Sequence, residues 1–128
     1  MRLLDTDIVI DLARRHPPAV AWFSSLGNET LGVPGFVVLE LMEGCENALA
    51  MRRLRKWLAP FPIYWPSAQD CQRALDTYAH AWLSHHIDFI DVLIGECAIG
   101  LGVPLCTFNV RHFRAIPGLA TEQPYERV

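Results

Sequence analysis

The chain has 128 residues, of which 52% are hydrophobic and 20% charged, and its formal net charge is −3. This length suits one compact domain over residues 1–128, and the apolar fraction is too high for a disordered chain. No apolar run reaches the ~18 residues of a membrane span. The carboxylates in MRLLDTDIVID are not expected in the apolar region of a signal peptide. The net acidity argues against a protein that coats nucleic acid by bulk charge.

Four cysteines show no CxxC spacing and lie within apolar or helical patterns: Cys45, Cys71, Cys97 and Cys106. We therefore expect reduced thiols in the core of a cytoplasmic protein. Secreted, membrane-spanning and zinc-ribbon proteins are disfavoured.

The predicted elements alternate between short strands and helices. Strands are predicted at residues 1–4, 30–33, 61–65 and 103–108, with an edge strand near 119–122. Helices are predicted after Asp7 as N-cap, from Pro17, from Pro34, over 48–58, from Ser67 to about 84, and over 88–101. This order predicts an α/β domain with a mainly parallel sheet of four to five strands and helices on both faces.

Ligands of such sheets bind beyond the carboxyl ends of the strands. Asp5 follows the first predicted strand, and Thr107 to Asn109 follow the fourth. The beginnings of the next helices belong to the same edge, so we expect a functional site there.

Two further carboxylates lie in apolar surroundings, Glu40 in FVVLELMEG and Asp91 in IDFIDVLIGECAIGLG. A buried carboxylate is costly unless it is paired, hydrogen-bonded or bound to a metal. Gly44 follows Glu40, and Gly95 follows Asp91, by one helical turn. Because glycine weakens a helix, its presence at these positions predicts that a neighbouring segment or a ligand comes close to the backbone there.

Three acids brought together would raise one another's pKa values, and a hard cation such as Mg²⁺ would relieve the repulsion. We therefore predict that Asp5, Glu40 and Asp91 bind a metal ion that activates water. Other roles stay open at this point: Asp5 and Asp88 are also good helix caps, and Glu40 could pair with an arginine.

A basic segment, RRLRK at residues 52–56, holds four of the 11 basic residues. It is either a solvated helix face or a contact for phosphates or a partner protein.

The motifs MRLLDTDIVID, VVLELMEG and IDFIDVLIGECAIGLGVPLCTFNVRHF resemble, over essentially the whole chain, a PIN-domain ribonuclease of the VapC toxin type. The resemblance implies a metal-dependent endoribonuclease with Mg²⁺, or Mn²⁺ in its place, inhibited by a cognate antitoxin. It also implies a homodimer or a toxin–antitoxin hetero-oligomer that meets DNA only through the antitoxin.

Carried over to this chain, the resemblance assigns the metal-binding and catalytic acids to Asp5, Glu40 and Asp91. At the edge of the site it places Thr6, Thr107 and Asn109. Separately from the resemblance, Asp88 precedes Asp91 by one helical turn and could reach the site from the same face of the helix. His112 stands where the family often has Asp, and Gly95 replaces the usual alanine. These departures leave three carboxylates, so we expect one tightly held ion and a second recruited with RNA.

The hypothesis for catalysis is in-line attack of water on an RNA phosphodiester, which leaves a 5′-phosphate and a 3′-hydroxyl. The candidates for binding RNA phosphates are basic residues of two segments: Arg111, Arg114, Arg52, Arg53 and Lys56. Which RNA is cleaved does not follow from the sequence.

Two alternatives remain. Asp5-Thr6-Asp7 provides the DxD of a phosphoacceptor or phosphohydrolase, although Lys56, the only lysine, lies in the basic segment. A catalytically silent interaction module would also explain the apolar composition.

Overall fold

A computed structural model describes residues 1–127, and its centre is a five-stranded sheet in the order β3-β2-β1-β4-β5. All neighbouring strands are parallel. The strands are β1 (Arg2–Leu4), β2 (Leu31–Pro34), β3 (Ile63–Tyr64), β4 (Leu105–Cys106) and β5 (Thr121–Glu122). The predicted α/β class, the parallel sheet and the edge strand near the C-terminus are confirmed.

Helices connect these strands. They are α1 (Thr6–Ala13), α2 (Pro17–Ser25), α3 (Gly35–Glu43), α4 (Ala48–Leu58), α5 (Ala68–His85), α6 (Phe89–Leu101) and α7 (Val110–Phe113). Helix α4 has the predicted bounds, and α5 opens with the predicted capping box between Ser67 and Asp70. Helix α7 was not predicted, because four residues are too few to show a helical period. No helix within residues 1–127 is long and apolar enough to cross a membrane.

The beginning of α1 differs from the prediction. Asp5, and not Asp7, is its N-cap, with φ −76° and ψ 166° and a side chain that accepts from the Thr6 N–H. Because β1 ends at Leu4, the chain passes from strand to helix through a single residue. Asp7 therefore lies in the first turn of the helix. The alternative role of Asp88 as N-cap of α6 is confirmed.

The two glycines that follow the central acids differ in role. A Cβ at Gly95 would lie 2.7 Å from Ile116 Cδ1, so the predicted close packing is confirmed there. Close packing is not found at Gly44, which caps α3 and whose Cβ would meet only the Leu41 carbonyl oxygen at 3.4 Å. Helix α6 also continues past Gly100 and ends at Gly102, whose φ of 68° suits glycine.

The core is built on the central strands, where Leu3, Leu4, Leu105 and Cys106 are fully buried. Cys97 is also buried, but Cys71 is exposed on α5 and Cys45 is only half-buried, so the prediction of four core cysteines is wrong at those two positions. Cysteine is usually buried, but the residue type alone does not decide on which face of a helix it lies.

The sheet order places the expected site. The chain adds β2 and β3 on one side of β1, and then β4 and β5 on the other. The reversal lies between β1 and β4, and ligands of open parallel sheets bind beyond the carboxyl ends of strands at such a switch point. Asp5 follows β1 and Thr107 follows β4, so the topology brings these two segments together.

Candidate active site

Asp5 is the most deeply buried acid at the switch point. Its side chain accepts hydrogen bonds from the Thr6 N–H and the Thr107 hydroxyl, both at 2.8 Å, and the residue is 8% exposed. Burial, with a contribution from neighbouring Asp7, raises the pKa of Asp5 to about 6 although both hydrogen bonds favour the charged form. A nearby cation would therefore stabilise the charged form of Asp5.

Glu40 lies on α3 and reaches the same region. Burial raises the pKa of Glu40 to about 7, with further contributions from the charges of Asp91 and Asp5. Its Oε1 is buried without a hydrogen-bond partner, and no arginine or lysine of residues 1–127 pairs with it. A carboxylate oxygen in this condition is a ready ligand for a cation or a hydrogen-bonding water.

Asp91 comes from the first turn of α6 and is less buried than the apolar sequence around it predicts. Its side chain is 25% exposed, and Oδ2 lies 2.9 Å from His112 Nε2. Burial raises the pKa of Asp91, while the hydrogen bond with His112 opposes that shift. The charge of Asp88 at the N-cap raises it further.

These acids come from three parts of the chain, and their charges act on one another. Asp91 and Asp5 both raise the pKa of Glu40, and Asp91 raises that of Asp5. Among residues 1–127, no three His, Cys, Asp or Glu side chains stand together in coordination geometry. The donors are nonetheless all oxygens, and the buried Oε1 of Glu40 has no partner, so the residues fit a hard divalent ion such as Mg²⁺.

The loop after β4 holds the remaining residues expected at the edge of the site. The Thr107 hydroxyl donates to Asp5 and accepts from the Asn109 N–H at 2.9 Å. Asn109 itself is exposed at the N-terminus of α7, and its side chain makes no capping hydrogen bond. Thr6 Oγ1 is buried and unpartnered, like Glu40 Oε1.

Two further residues organise the site. Asp7 Oδ2 accepts from the Phe108 N–H at 2.9 Å, which fixes the loop after β4 against α1. His112 contacts Asp91 from α7. The sequence did not predict the contact between Asp7 and Phe108, because Asp7 was interpreted as a helix cap. The motif TFNVRHF, which contains His112, was the signal for the contact with Asp91.

The basic candidates fall into two groups. Arg111 and Arg114 are exposed on the last turn of α7 and at its C-cap, the helix that also carries His112. Arg52, Arg53 and Lys56 are exposed on α4, where Arg53 and Lys56 line a groove of about 670 Å³. The other residues that line it belong to α1, α2, the turn between them, the last turn of α4 and the segment after it: Leu12, Arg15, Val20, Phe23, Trp57, Pro60 and Phe61. None of the acids described above lines this groove, so the groove is distinct from the acidic site.

Comparisons with known proteins agree with this architecture. Residues 2–119 match the family model described as PIN domain. Ribonuclease VapC19 of Mycobacterium tuberculosis is 32% identical over 98% of this chain and all of its own length. VapBC-1 from nontypeable Haemophilus influenzae is 26% identical with a TM-score of 0.77, covering 94% of this chain and 96% of its own. A toxin–antitoxin complex from Klebsiella pneumoniae is 25% identical with a TM-score of 0.77, covering 98% and 99%.

Proposed function

This chain belongs to the PIN-domain family, and from that premise we propose that it is a ribonuclease of the VapC type. It acts as the toxin of a toxin–antitoxin pair in the cytoplasm and is inhibited by its antitoxin. The similarity to VapC19 and to VapBC complexes over nearly the whole chain supports this activity and partnership. A homodimer, or a hetero-oligomer with the antitoxin, is part of the same proposal.

One observation carries the choice of catalytic residues. Asp5, Glu40 and Asp91 lie at the switch point with raised pKa values, and Glu40 presents a buried oxygen without a partner. PIN-domain ribonucleases generally depend on divalent metal ions. We assign Asp5, Asp91 and Glu40 as residues that would bind Mg²⁺, with Mn²⁺ as a substitute. Such an ion, when bound, supplies charge neutralisation and a more acidic water.

Each acid then has its own task. Asp5, held by Thr6 and Thr107, keeps a fixed carboxylate at the end of β1 for ion binding. Glu40 Oε1, a buried oxygen without a hydrogen-bond partner, would accept a hydrogen bond from the attacking water. Hydrolysis leaves a 5′-phosphate and a 3′-hydroxyl. Because water is the nucleophile, the preference for RNA has to come from binding.

Two basic surfaces would serve two partners. Arg111 and Arg114 are exposed at α7, whose His112 contacts Asp91, and there they would contact RNA phosphates. The groove between α1, α2 and α4 has an apolar floor and a cationic rim of Arg15, Arg53 and Lys56. We assign it to an amphipathic, acidic segment of the antitoxin, because charge and shape are both complementary to such a segment.

The test is to map the 5′ ends of total RNA after brief expression of the wild-type chain, Asp5→Asn or Asp76→Asn. Asp76 is exposed on α5, so its variant controls for loss of one negative charge. We expect new 5′-phosphate ends with the wild-type chain and Asp76→Asn, and none with Asp5→Asn. Full cleavage by purified, folded Asp5→Asn would refute the assignment, and no cleavage by the wild-type chain would favour a silent interaction module.

A further inference from the structure

His112 contacts an acid of the site but has no task in the hydrolysis described above. Its Nε2 lies 2.9 Å from Asp91 Oδ2, and the two side chains are 27% and 25% exposed. The imidazole also meets the Phe113 ring edge-on, with centroids 5.7 Å apart and planes at 83°. Because Phe113 is almost completely buried, it anchors the short helix that presents His112 to Asp91.

The distance between these two atoms suits a shared ion. Octahedral ions with bonds of about 2.0–2.1 Å have neighbouring ligand atoms about 3 Å apart. His112 Nε2 and Asp91 Oδ2 have nearly that separation, and both side chains are partly exposed. The two atoms are therefore already spaced as neighbouring ligands of one ion would be.

The chemistry of imidazole adds a selectivity that carboxylates alone do not provide. Mg²⁺ favours oxygen ligands, whereas imidazole nitrogen is a common ligand of first-row transition metals. We propose that His112 is a nitrogen ligand of the divalent-metal site and biases that site away from Mg²⁺ toward a first-row transition-metal ion. This inference rests on the proposed function, because it assigns a ligand to the same site.

The first experiment looks for the nitrogen directly, in the full chain loaded with Mn²⁺. Pulsed electron paramagnetic resonance detects ¹⁴N bound to Mn²⁺ as a modulation of the electron spin echo. We expect this modulation in the wild-type chain, its replacement by a ¹⁵N pattern after labelling of the histidines, and its loss in His112→Asp. His80→Asp is the matched control, because His80 is exposed on α5. The labelling arm needs no substitution, so the test stands even if a variant folds poorly.

The second experiment measures selectivity by competition of Mg²⁺ against bound Mn²⁺. Loss of a residue that tunes a metal site typically costs 10–100-fold in metal affinity. We expect His112→Asp to lower the ratio of Mn²⁺ to Mg²⁺ affinity about tenfold, and His80→Asp to leave it unchanged.

The outcomes separate this inference from the proposed function. If Asp5→Asn abolishes Mn²⁺ binding but the wild-type chain shows no nitrogen coupling, the acids bind the metal and His112 only donates a hydrogen bond to Asp91. The inference is then wrong and the proposed site stands. If the wild-type chain binds no Mn²⁺ in the presence or absence of RNA, both are wrong.

Discussion

At the scale of single residues, Glu40 is a carboxyl group whose charged form is destabilised by its surroundings in the folded protein. Its carboxyl is held near two other acids, and one of its oxygens is buried without a partner. In most proteins such a group would be neutralised by an arginine or replaced during evolution of the core. Here the free-energy cost of burying the Glu40 carboxylate near two other acids is consistent with a site that is completed only by a cation.

This cost predicts a dependence of stability on pH. The folded-state pKa of Glu40 is about 7, above its ordinary value of 4.5. The folded state therefore binds the proton more tightly, and stability is lost as the pH rises through that interval. In EDTA, we expect Glu40→Gln to be about 1–2 kcal/mol more stable than the wild-type chain at pH 8 and equal to it at pH 4. Urea unfolding at both pH values measures the difference.

The control for this prediction is Asp76→Asn, an exposed acid on α5 that is not one of the charges raising the pKa of Glu40. It should leave the pH dependence unchanged. Mg²⁺ should stabilise the wild-type chain at pH 8 more than Glu40→Gln, because binding to the folded state adds to stability. Equal pH dependence in the two variants would show that Glu40 titrates normally.

At the scale of elements, hydrogen bonds between α5 and α6 fix the position of α6, the helix that carries Asp91. Glu96 is 2% exposed on α6, and its carboxylate accepts from Arg73 Nε at 3.0 Å and from the Thr77 hydroxyl at 2.7 Å on α5. Arg73 also donates to Asp70, which belongs to the capping box. The position of α6, and with it that of Asp91, thus depends on a buried polar network.

Gly100 is where this network admits no side chain. An added Cβ there would overlap the carboxylate of Asp70, which is held by both Ser67 and Arg73. We expect Gly100→Ala to destabilise the fold by roughly 1–3 kcal/mol although alanine is the better helix former. Thermal unfolding is the measurement.

Gly44→Ala is its matched control, because a Cβ at Gly44 meets only a carbonyl oxygen at ordinary contact distance. That variant should be neutral or slightly stabilised. A Gly100→Ala chain as stable as Gly44→Ala would show that Asp70 moves aside without cost.

At the scale of the whole molecule, the last described residues close over the N-terminal helix. Asp11 of α1 accepts from the Tyr125 hydroxyl at 2.9 Å and from Arg127 Nη2 at 3.0 Å. The guanidinium of Arg127 also lies 4.7 Å from the centre of the Phe108 ring, in the loop that carries Thr107. Tyr125 and Arg127 therefore pack against α1 and the loop after β4.

The groove between α1, α2 and α4 leads to a prediction about the partner protein. Phe23 is 46% exposed on its wall, so Phe23→Asp should place a charge against the apolar side of the antitoxin. We expect affinity for the co-expressed antitoxin to fall at least about tenfold, since a buried aromatic contact commonly contributes that much. RNA cleavage without antitoxin should be unchanged, and titration calorimetry measures the affinity.

Leu83→Asp is the matched control for this prediction. Leu83 is 80% exposed on α5 and does not line the groove. If Leu83→Asp weakens antitoxin binding and Phe23→Asp does not, the antitoxin occupies a different surface.

The sequence by itself determined the α/β class, the positions of the strands and the three acids. Strand and helix signals are local, and a carboxylate such as Glu40 is conspicuous among apolar neighbours without knowledge of the fold. Only the tertiary structure decided that Asp5 caps α1 and is bound by Thr107, that Phe108 donates to Asp7, and that His112 meets Asp91. The first two contacts join residues more than 100 positions apart. They arise because β4 is inserted beside β1, a pairing that no local pattern encodes.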